Sequence, residues 1–385
     1  MKRSQKIFKT KISYISLQKF LILSVKTLTA MEQIKSNFAG KTIFVGLDVH
    51  KNSWNLGVHL EDTFLRNVHQ KPNPKTLLDF LQKNYPGAIY KTAYEAGKFG
   101  FWIHRQLTAL GIECLVVNPA DIPKSQKDKL QKTDANDSRN IGYRLLKGEL
   151  RGIHVPDEQQ EADRCFFRHR KKILKDLTRC KNRIKGLLAF SGIDLPPEYD
   201  NACWSKNFIV WLKKLDCKQA TRRKVLDFMI SQMEFLRDEL LKISNEIRKM
   251  LREQRYNKNY YLLRTIPGIG PLTAGSLLVE IGDIKRFETF YHLNSFIGLL
   301  PMEHSSGEDT NVGNLTVRKH KQFRSDLVES AWTAKRTDPA MSLYYADQIK
   351  RKDSKIVIIK IARKLLNRIR YVLVNQKEYV KGVVK

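Results

Sequence analysis

Thr42-Ile-Phe-Val-Gly-Leu-Asp48 is an apolar run of strand length that ends in a carboxylate. Downstream, apolar residues recur at every second position from Trp54 to Leu60, and residues 64–68 are placed to pair back across a Glu61-Asp62 turn. Alternation with a period of two is typical of half-buried strands. The sequence therefore predicts a β-meander that begins at Thr42.

The segments that follow the meander predict alternating helix and strand. Residues 77–81 and 101–110 have helical patterns, whereas residues 89–94 and 112–117 have the apolar character of buried strands. Three antiparallel strands followed by alternating helices and strands is the element order of a ribonuclease H-like (RuvC-like) fold, which carries an Asp on its central first strand. We predict an α/β domain of this kind over residues 41–155.

Four carboxylates fall at the ends of these predicted elements: Asp48, Glu95, Asp134 and Asp137. Each alone has an ordinary explanation, because acids are common in turns and in the first turn of a helix. However, Asp134 and Asp137 share one helix face with Ile141 and can turn toward the strand end that bears Asp48. Four gathered carboxylates repel one another unless a cation neutralises them, and Mg²⁺ prefers such oxygen ligands. The set predicts a Mg²⁺ site for phosphodiester chemistry.

Charge indicates the class of partner. The chain has 70 Lys plus Arg against 39 Asp plus Glu, a formal net charge of +31, which favours a polyanion and above all nucleic acid. The five cysteines contain no Cys-x-x-Cys pair, which speaks against a disulfide framework or a zinc knuckle. We expect a cytoplasmic, nucleoid-associated protein.

The first 30 residues have a different character. They contain Lys and Arg near the N-terminus, a short apolar run at residues 20–25 and no acidic residue, so they weakly resemble a signal peptide. The apolar run is too short to span a membrane. Because Met31 lies just before the first predicted strand, residues 1–40 are expected to be a non-essential extension.

Three segments together resemble the signatures of the DEDD-type insertion-sequence transposases, the IS110 family, which includes the Piv-like DNA invertases: Gly46-Leu-Asp-Val-His-Lys51, Tyr94-Glu-Ala-Gly97 and Lys132-Thr-Asp-Ala-Asn-Asp137. The resemblance covers residues 41–375. It implies a DNA transposase or site-specific recombinase that acts on element ends and target DNA. It further implies a noncoding guide RNA that pairs with both.

Two long helices are predicted in a helical, coiled-coil region over residues 156–260. The first spans about 158–190, and the second, about 222–254, has apolar residues at alternating spacings of three and four that form a seam for another helix. A hairpin within the chain and a coiled coil between subunits both fit this seam. The resemblance favours the second, as a dimer or tetramer. Three basic residues of the first helix are candidate nucleic-acid contacts: Arg168, Arg170 and Lys171.

A C-terminal, mostly helical transposase domain is predicted over residues 261–385. It opens with Thr265-Ile-Pro-Gly-Ile-Gly-Pro271, a turn like that of helix-hairpin-helix DNA-binding units. Gly268 and Gly270 would let the backbone and a helix N-terminus approach a phosphate. Ordinary helix packing is the alternative explanation of these glycines.

Ser305-Ser-Gly307 in this domain resembles the Ser-Gly segment of the same family, whose serine attacks the DNA phosphate. The resemblance places the nucleophile on Ser306, with Ser305 as the rival, although Ser-Ser-Gly alone indicates only a loop turn. A serine needs activation by a base or by metal charge, and the four acids would supply it if the two domains meet across the DNA. Family members usually have a glycine where this chain has Lys319, which puts the local turn geometry in doubt. The remaining candidate nucleic-acid contacts are Lys132, Arg318, Lys319, Lys321, Arg324, Arg363 and Lys364.

Two other functions stay open from the sequence. One is a RuvC-like metal-dependent junction nuclease that uses the four acids and water. The other is a non-catalytic nucleic-acid-binding protein derived from a transposase.

Overall fold

The structure is a computed structural model that describes residues 38–123, 133–200, 203–306, 309–317 and 320–381. The chain divides into two compact units, residues 1–155 and 156–385. The predicted N-terminal extension falls outside the described residues as far as residue 37.

The first unit contains a five-stranded mixed sheet. Its strands are β1 (Thr42–Val49), β2 (Trp54–Leu60), β3 (Thr63–Gln70), β4 (Ile89–Glu95) and β5 (Glu113–Val117). The strand order is β3-β2-β1-β4-β5, in which β1 is antiparallel to β2 and parallel to β4, and β4 is parallel to β5. The predicted meander and the two parallel strands after it are confirmed.

Helices cover both faces of this sheet. They are α1 (Pro74–Asn84), α2 (Trp102–Ala109) and α3 (Asp134–Leu146). Leu77 of α1 and Ile103 of α2 belong to a core with Val45 of β1. Ile141 of α3 packs with Ala93 on the opposite face. The unit therefore has three layers, with the sheet in the middle.

The packing of α3 buries more of β2 than the sequence predicts. The alternating pattern predicts one buried face, yet Gly57 and His59 on the other face are also buried. The imidazole of His59 lies 3.1 Å from the carbonyl oxygen of Arg139 in α3. Since α3 lies directly on this face, both sides of β2 are removed from water.

The second unit is helical apart from one β-hairpin. Its helices are α4 (Glu158–Phe190), α5 (Lys206–Lys214), α6 (Ala220–Met250), α7 (Asn257–Arg264), α8 (Pro271–Ile281), α9 (Phe290–Ile297), α10 (Lys321–Thr337), α11 (Pro339–Gln348) and α12 (Ser354–Asn375). The hairpin consists of β6 (Pro301–Ser306) and β7 (Asp309–Leu315). The predicted order, an α/β unit followed by a helical region, is confirmed. In the described part of the chain, no helix is long and apolar enough to cross a membrane.

The two long helices pack against each other within one chain. Cys180 and Ile184 of α4 share a core with Leu226 and Met233 of α6. The N-terminal part of the apolar seam of α6 thus packs against α4 in an intramolecular hairpin, which was one of the two predicted alternatives. Association between subunits stays a prediction. The helix ends at Met250, four residues before its predicted end.

One core joins the helical middle of the chain to its C-terminal part. Phe167 of α4 and Ile247 of α6 pack in the same cluster as Leu277 of α8 and Leu365 of α12. The hydrophobic core is therefore continuous across residue 260.

The β6–β7 hairpin was not expected from the sequence, which indicates only a loop turn around Ser305 and Ser306. Both serines lie in β6, where they pair with Thr310 and Asp309. Residues 301–315 contain few apolar side chains, so no hydrophobic alternation reveals the two strands.

Candidate functional site

The predicted strand acids lie side by side at one edge of the sheet. Leu47 of β1 pairs in parallel register with Tyr94 of β4, and Asp48 and Glu95 each follow that pair by one residue. Asp48 is on the same strand face as Gly46, because side chains alternate along a strand. Since Gly46 touches α3, Asp48 points to the face that this helix covers.

The other two acids occupy the first turn of α3. Thr133 caps the helix, with its hydroxyl oxygen 3.3 Å from the backbone nitrogen of Asn136. This N-cap fixes the start of the helix at Asp134 and places Asp137 one turn further on. The positive end of the helix dipole also favours carboxylates at these positions.

Three glycines allow α3 to lie directly on the sheet: Gly46 of β1, Gly57 of β2 and Gly142 of α3. A β-carbon on Gly46 would overlap backbone atoms of Ser138 and Gly142, and one on Gly57 would lie 2.6 Å from the Cα of Arg139. Contacts this short do not occur with a real side chain, so the backbones of helix and strand touch only because these positions lack one. The distance from the acids of α3 to β1 is therefore set by backbone contact.

The structure brings Asp48 and Asp134 together around a histidine that the sequence-based site did not include. Nε2 of His50 lies 3.1 Å from an Asp48 carboxylate oxygen and 3.6 Å from one of Asp134. One ligand atom from each of the three residues lies within 4.8 Å of the other two. Of the described residues, Glu95 and Asp137 do not belong to this close group.

The surroundings of Asp48 disfavour its charged form. Burial raises the pKa of Asp48, and the charges of Asp134 and Asp137 raise it further, while His50 acts in the opposite direction. A carboxyl group in such surroundings holds its negative charge at a cost in free energy. A cation between Asp48 and Asp134 would remove that cost.

These residues fit a divalent cation. Two carboxylates supply the hard oxygen ligands that Mg²⁺ and Mn²⁺ prefer, and the imidazole nitrogen is a ligand that first-row transition metals accept more readily than Mg²⁺ does. His50 is the first residue after β1 and lies two positions after Asp48. This spacing, which puts side chains on one side where a chain stays extended, was the signal available in the sequence.

The predicted nucleophile lies at the tip of the β6–β7 hairpin in the second unit. Ser306 is the last residue of β6 and pairs with Asp309, the first of β7, while Ser305 pairs with Thr310. The connecting residues 307–308 lie outside the described residues. Both candidate serines therefore lie at the C-terminal end of β6.

Two family models match this sequence. The model DEDD_Tnp_IS110, a transposase family, matches residues 45–192, and that of the transposase IS116/IS110/IS902 family matches residues 260–346. The first match contains the four acids and the second contains the serine hairpin. The chain belongs to the IS110 family of transposases.

Individual relatives agree with this membership. The transposase for insertion sequence element IS1533 of Leptospira borgpetersenii is 26% identical over 299 residues, which are 76% of this chain and 85% of that protein. The y4rJ protein of Sinorhizobium fredii is 30% identical over 71% of this chain and 74% of its own length. The y4qE protein of the same organism is 28% identical over 62% of this chain, and the match spans 57% of that protein.

Two basic residues predicted to contact nucleic acid, Arg168 and Lys171, form ion pairs with acids of this IS110-family chain. Arg168 donates two hydrogen bonds of 3.0 Å to the carboxylate of Glu280, and His320 lies 3.4 Å from the same group. Lys171 forms an ion pair with Asp326. Burial alone would raise the pKa of Glu280, but the contacts from His320 and Arg168 outweigh it and lower the pKa to about 2. Glu280 thus ties α4 to α8 and to the start of α10.

Arg324 also has a structural environment. Its guanidinium donates to the carbonyl oxygens of Gly298 and Thr316, at 2.9 and 3.1 Å. These bonds join α10 to the end of α9 and to the segment that follows β7. Lys321, by contrast, is exposed. Three further predicted contacts lie outside the described residues: Lys132, Arg318 and Lys319.

The glycine-rich turn between α7 and α8 combines tight packing with an open helix start. Gly268 has a φ of +90°, and a β-carbon there would lie 2.5 Å from the carbonyl oxygen of Ser330 in α10. Helix packing therefore accounts for Gly268. Gly270 is the N-cap of α8 and a β-carbon there would meet nothing within 4 Å.

On α12, Arg363 is partly buried and Lys364 is exposed.

Proposed function

We propose that this chain is the DNA transposase or site-specific recombinase of an insertion sequence. It cuts and rejoins DNA with Mg²⁺ held by the four acids and with a serine nucleophile. The observation that carries the proposal is the approach of Asp134 to Asp48, where burial and the neighbouring carboxylates raise the pKa of Asp48. The strand order β3-β2-β1-β4-β5, with an acid at the end of the central strand, supports a ribonuclease H-like unit.

The proposed chemistry begins with the carboxylates. Asp48 and Asp134, which lie in one close group, would hold the ion directly, and Glu95 and Asp137 would complete the set of four acids around it. A bound Mg²⁺ supplies positive charge at the scissile phosphate. Ser306 then forms a bond to phosphorus while the bond to the 3′ oxygen breaks. The serine proton passes to a base or to water, and the departing oxygen takes up a proton.

The product of this step is a phosphoserine linked to one DNA end and a free 3′ hydroxyl on the other. Because the link keeps the free energy of the phosphodiester bond, a 3′ hydroxyl from another strand can displace the serine and reseal the DNA. The ion and the serine belong to separate units, so the proposal requires a composite site, within one chain or between subunits that associate through residues 222–254.

The net charge of +31 supports a large nucleic-acid surface. We include a noncoding guide RNA, since base pairing can supply sequence choice while protein contacts follow the backbones. The exposed cations Lys321 and Lys364 are candidate backbone contacts.

The decisive experiment traps a covalent protein–DNA adduct. Wild type and the variants Ser306→Ala, Ser305→Ala and Asp48→Ala are incubated with element-end DNA, Mg²⁺ and the flanking RNA. Asp79→Ala, which removes an exposed acid of α1, is the matched control. The adduct is expected with wild type, Asp79→Ala and Ser305→Ala, and not with the other two.

Each other outcome has a defined meaning. Loss of the adduct in Ser305→Ala alone moves the nucleophile to that residue. Cleavage that needs Asp48 but forms no adduct and survives Ser306→Ala indicates a metal-dependent junction nuclease. If wild type neither cuts nor forms an adduct, while its biological effect survives Asp48→Ala, the chain is a non-catalytic nucleic-acid-binding protein.

A further inference from the structure

A groove between α4 and α6 contains four cationic side chains. They are Arg170 and Lys181 from α4 and Arg237 and Arg248 from α6, and Trp204 forms part of the wall. The groove has a volume of about 300 Å³, the share of roughly ten water molecules in the liquid. It lies wholly within the second unit and includes neither the four acids nor the serine hairpin.

The hydrogen-bond and ring partners that the described residues give these four cations are neutral groups. Arg170 donates to the hydroxyl of Ser244 at 2.9 Å and Arg237 to the carbonyl oxygen of Trp204 at 3.5 Å. Arg248 donates to the side-chain oxygen of Asn245 at 2.8 Å. The Lys181 ammonium lies 5.5 Å from the Trp204 ring centroid. Within the described ranges, no carboxylate oxygen lies within 4.0 Å of a nitrogen of these four side chains.

Four other cations on the same two helices have acid partners. On α4, Arg168 pairs with Glu280 and Lys171 with Asp326. On α6, Lys242 and Lys249 pair with acids of their own helix at 2.6 and 2.7 Å. The four cations of the groove therefore differ from these four neighbours, each of which has a carboxylate within 4.0 Å.

Burial and mutual repulsion raise the free energy of the charged groove side chains in the unbound protein. Burial lowers the pKa of Arg170, and the charge of Arg248 lowers it further, while Asp326 offsets part of the effect. Burial also lowers the pKa of Lys181, and Arg237 acts in the same direction. Like charges that are partly removed from water repel one another, and a bound anion lowers the free energy of this repulsion. An anion that enters the groove would gain from all four.

We propose that this groove binds the phosphodiester backbone of a nucleic acid, with Arg170, Lys181, Arg237 and Arg248 as phosphate contacts. A polyanion with regularly spaced phosphates satisfies several of these cations at once, which a single small anion cannot. The inference rests on the proposed nucleic-acid function and adds a contact surface apart from the reacting groups. Both DNA and RNA present this chemistry, and the test separates them.

The test measures binding of the full chain to fluorescent double-stranded DNA and, separately, to single-stranded RNA across a series of KCl concentrations. The groove variant is Arg237→Gln/Arg248→Gln. The control, Lys242→Gln/Lys249→Gln, removes the same charge from the same helix at positions that already have acid partners. We expect the groove variant to bind about tenfold or more weakly than the control, because two charged contacts are lost. Its salt slope should fall by about 0.7–0.9 for each lost phosphate contact.

Thermal unfolding of the unbound variants gives an independent readout. Because the substitutions relieve repulsion, the groove variant should melt at or above the wild-type temperature even though it binds more weakly. A structural role for the two arginines would instead lower the melting temperature and leave the affinity of the folded protein unchanged. That result, or equal affinities of groove and control variants for both polymers, overturns the proposal.

A loss confined to one polymer identifies the occupant as DNA or RNA. The measurement needs no strand cleavage, so it is separable from the proposed chemistry. If wild type forms the phosphoserine adduct while the groove variant binds like its control, only the groove proposal fails. If no adduct forms but the groove variant still loses affinity, the groove proposal stands without the serine mechanism.

Discussion

Gly142 of α3 packs on Gly57 of β2 so closely that a β-carbon added to Gly142 would lie 2.6 Å from the carbonyl oxygen of Gly57. The same β-carbon would lie 3.0 Å from the backbone nitrogen of Gly46. Helix and sheet thus meet backbone to backbone. The position of Asp134 relative to Asp48 depends on a contact that tolerates no added atoms.

The first prediction follows from this contact. Gly142→Ala must push α3 away from β1 and β2, at a cost of about 1–3 kcal/mol typical of overpacking. The shift also separates Asp134 from Asp48, so divalent-cation affinity should fall together with stability. Urea denaturation and calorimetric titration with Mn²⁺ measure the two effects.

Gly186→Ala in α4 is the matched control, because Gly186 is also helical and a β-carbon there meets nothing within 4 Å. Alanine favours a helix over glycine by about 1 kcal/mol, so this variant should be as stable as wild type or more so and should keep its cation affinity. Equal behaviour of the two variants would contradict the role of the Gly142 contact.

The second prediction concerns His50 as a nitrogen ligand. Its Nε2 is within reach of an ion held by Asp48 and Asp134, and imidazole favours Mn²⁺ more than Mg²⁺. His50→Ala should therefore lower Mn²⁺ affinity about tenfold and Mg²⁺ affinity by less. Electron paramagnetic resonance of free Mn²⁺ and calorimetry with Mg²⁺ give the two constants.

His69→Ala provides the control for this measurement. His69 is exposed on the neighbouring part of the same sheet, where it bonds to Asn55, so its removal should leave both affinities unchanged. A His50→Ala variant with wild-type Mn²⁺ affinity, or with equal losses for both ions, would exclude the imidazole as a ligand.

Local rules explain which parts of the site can be predicted from the sequence. Asp48 ends an apolar strand, and Asp134 and Asp137 follow an N-cap, so periodicity and capping are enough to locate them. The contacts that bring them together are not local. Gly57 meets Arg139, some 80 residues later, and a single sequence does not show which glycine faces which helix.

The same limit applies to the basic residues. The stripe on α4 predicts cations on an outer face, but it cannot show that Arg168 has a partner in Glu280, 112 positions away. Arg170, only two residues later, has no carboxylate oxygen within 4.0 Å among the described residues and donates to the hydroxyl of Ser244 instead. The β6–β7 hairpin was missed because its strands carry little hydrophobic signal, and backbone pairing defines them instead.

The third prediction uses the pKa of Glu280, which is lowered from 4.5 to about 2. A carboxyl group whose pKa is lower in the folded state stabilises the protein above its unfolded pKa, and the stabilisation disappears as the pH falls through the folded pKa. Glu280→Gln should therefore lower the free energy of unfolding by up to about 3 kcal/mol at neutral pH. Less than half of this difference should remain near pH 3.

Urea denaturation of wild type and Glu280→Gln near pH 7, 5 and 3 tests this prediction. Glu246→Gln serves as the control, because Glu246 is exposed and pairs with Lys249 on the helix surface, and surface pairs of this kind contribute little. A difference between Glu280→Gln and wild type that stays constant over the whole pH range would show that the ion pairs do not lower the pKa of Glu280.

The fourth prediction separates a structural arginine from a binding lysine in the segment after the serine hairpin. Arg324→Ala removes two hydrogen bonds to backbone carbonyls and should cost about 1–3 kcal/mol of stability. Its effect on nucleic-acid affinity should be small at temperatures where the variant is folded. Lys321→Ala removes an exposed charge three residues earlier and should leave the melting temperature unchanged.

Nucleic-acid binding should respond in the opposite way. Lys321→Ala should bind more weakly and with a salt slope lower by about 0.7–0.9, the value for one lost phosphate contact, whereas Arg324→Ala should keep the wild-type slope. The two variants remove the same charge from the same helix, so net charge cannot explain a difference between them. If both lose affinity equally and neither loses stability, the carbonyl contacts of Arg324 are not what holds α10 against the end of α9, and its guanidinium is free to reach the nucleic acid.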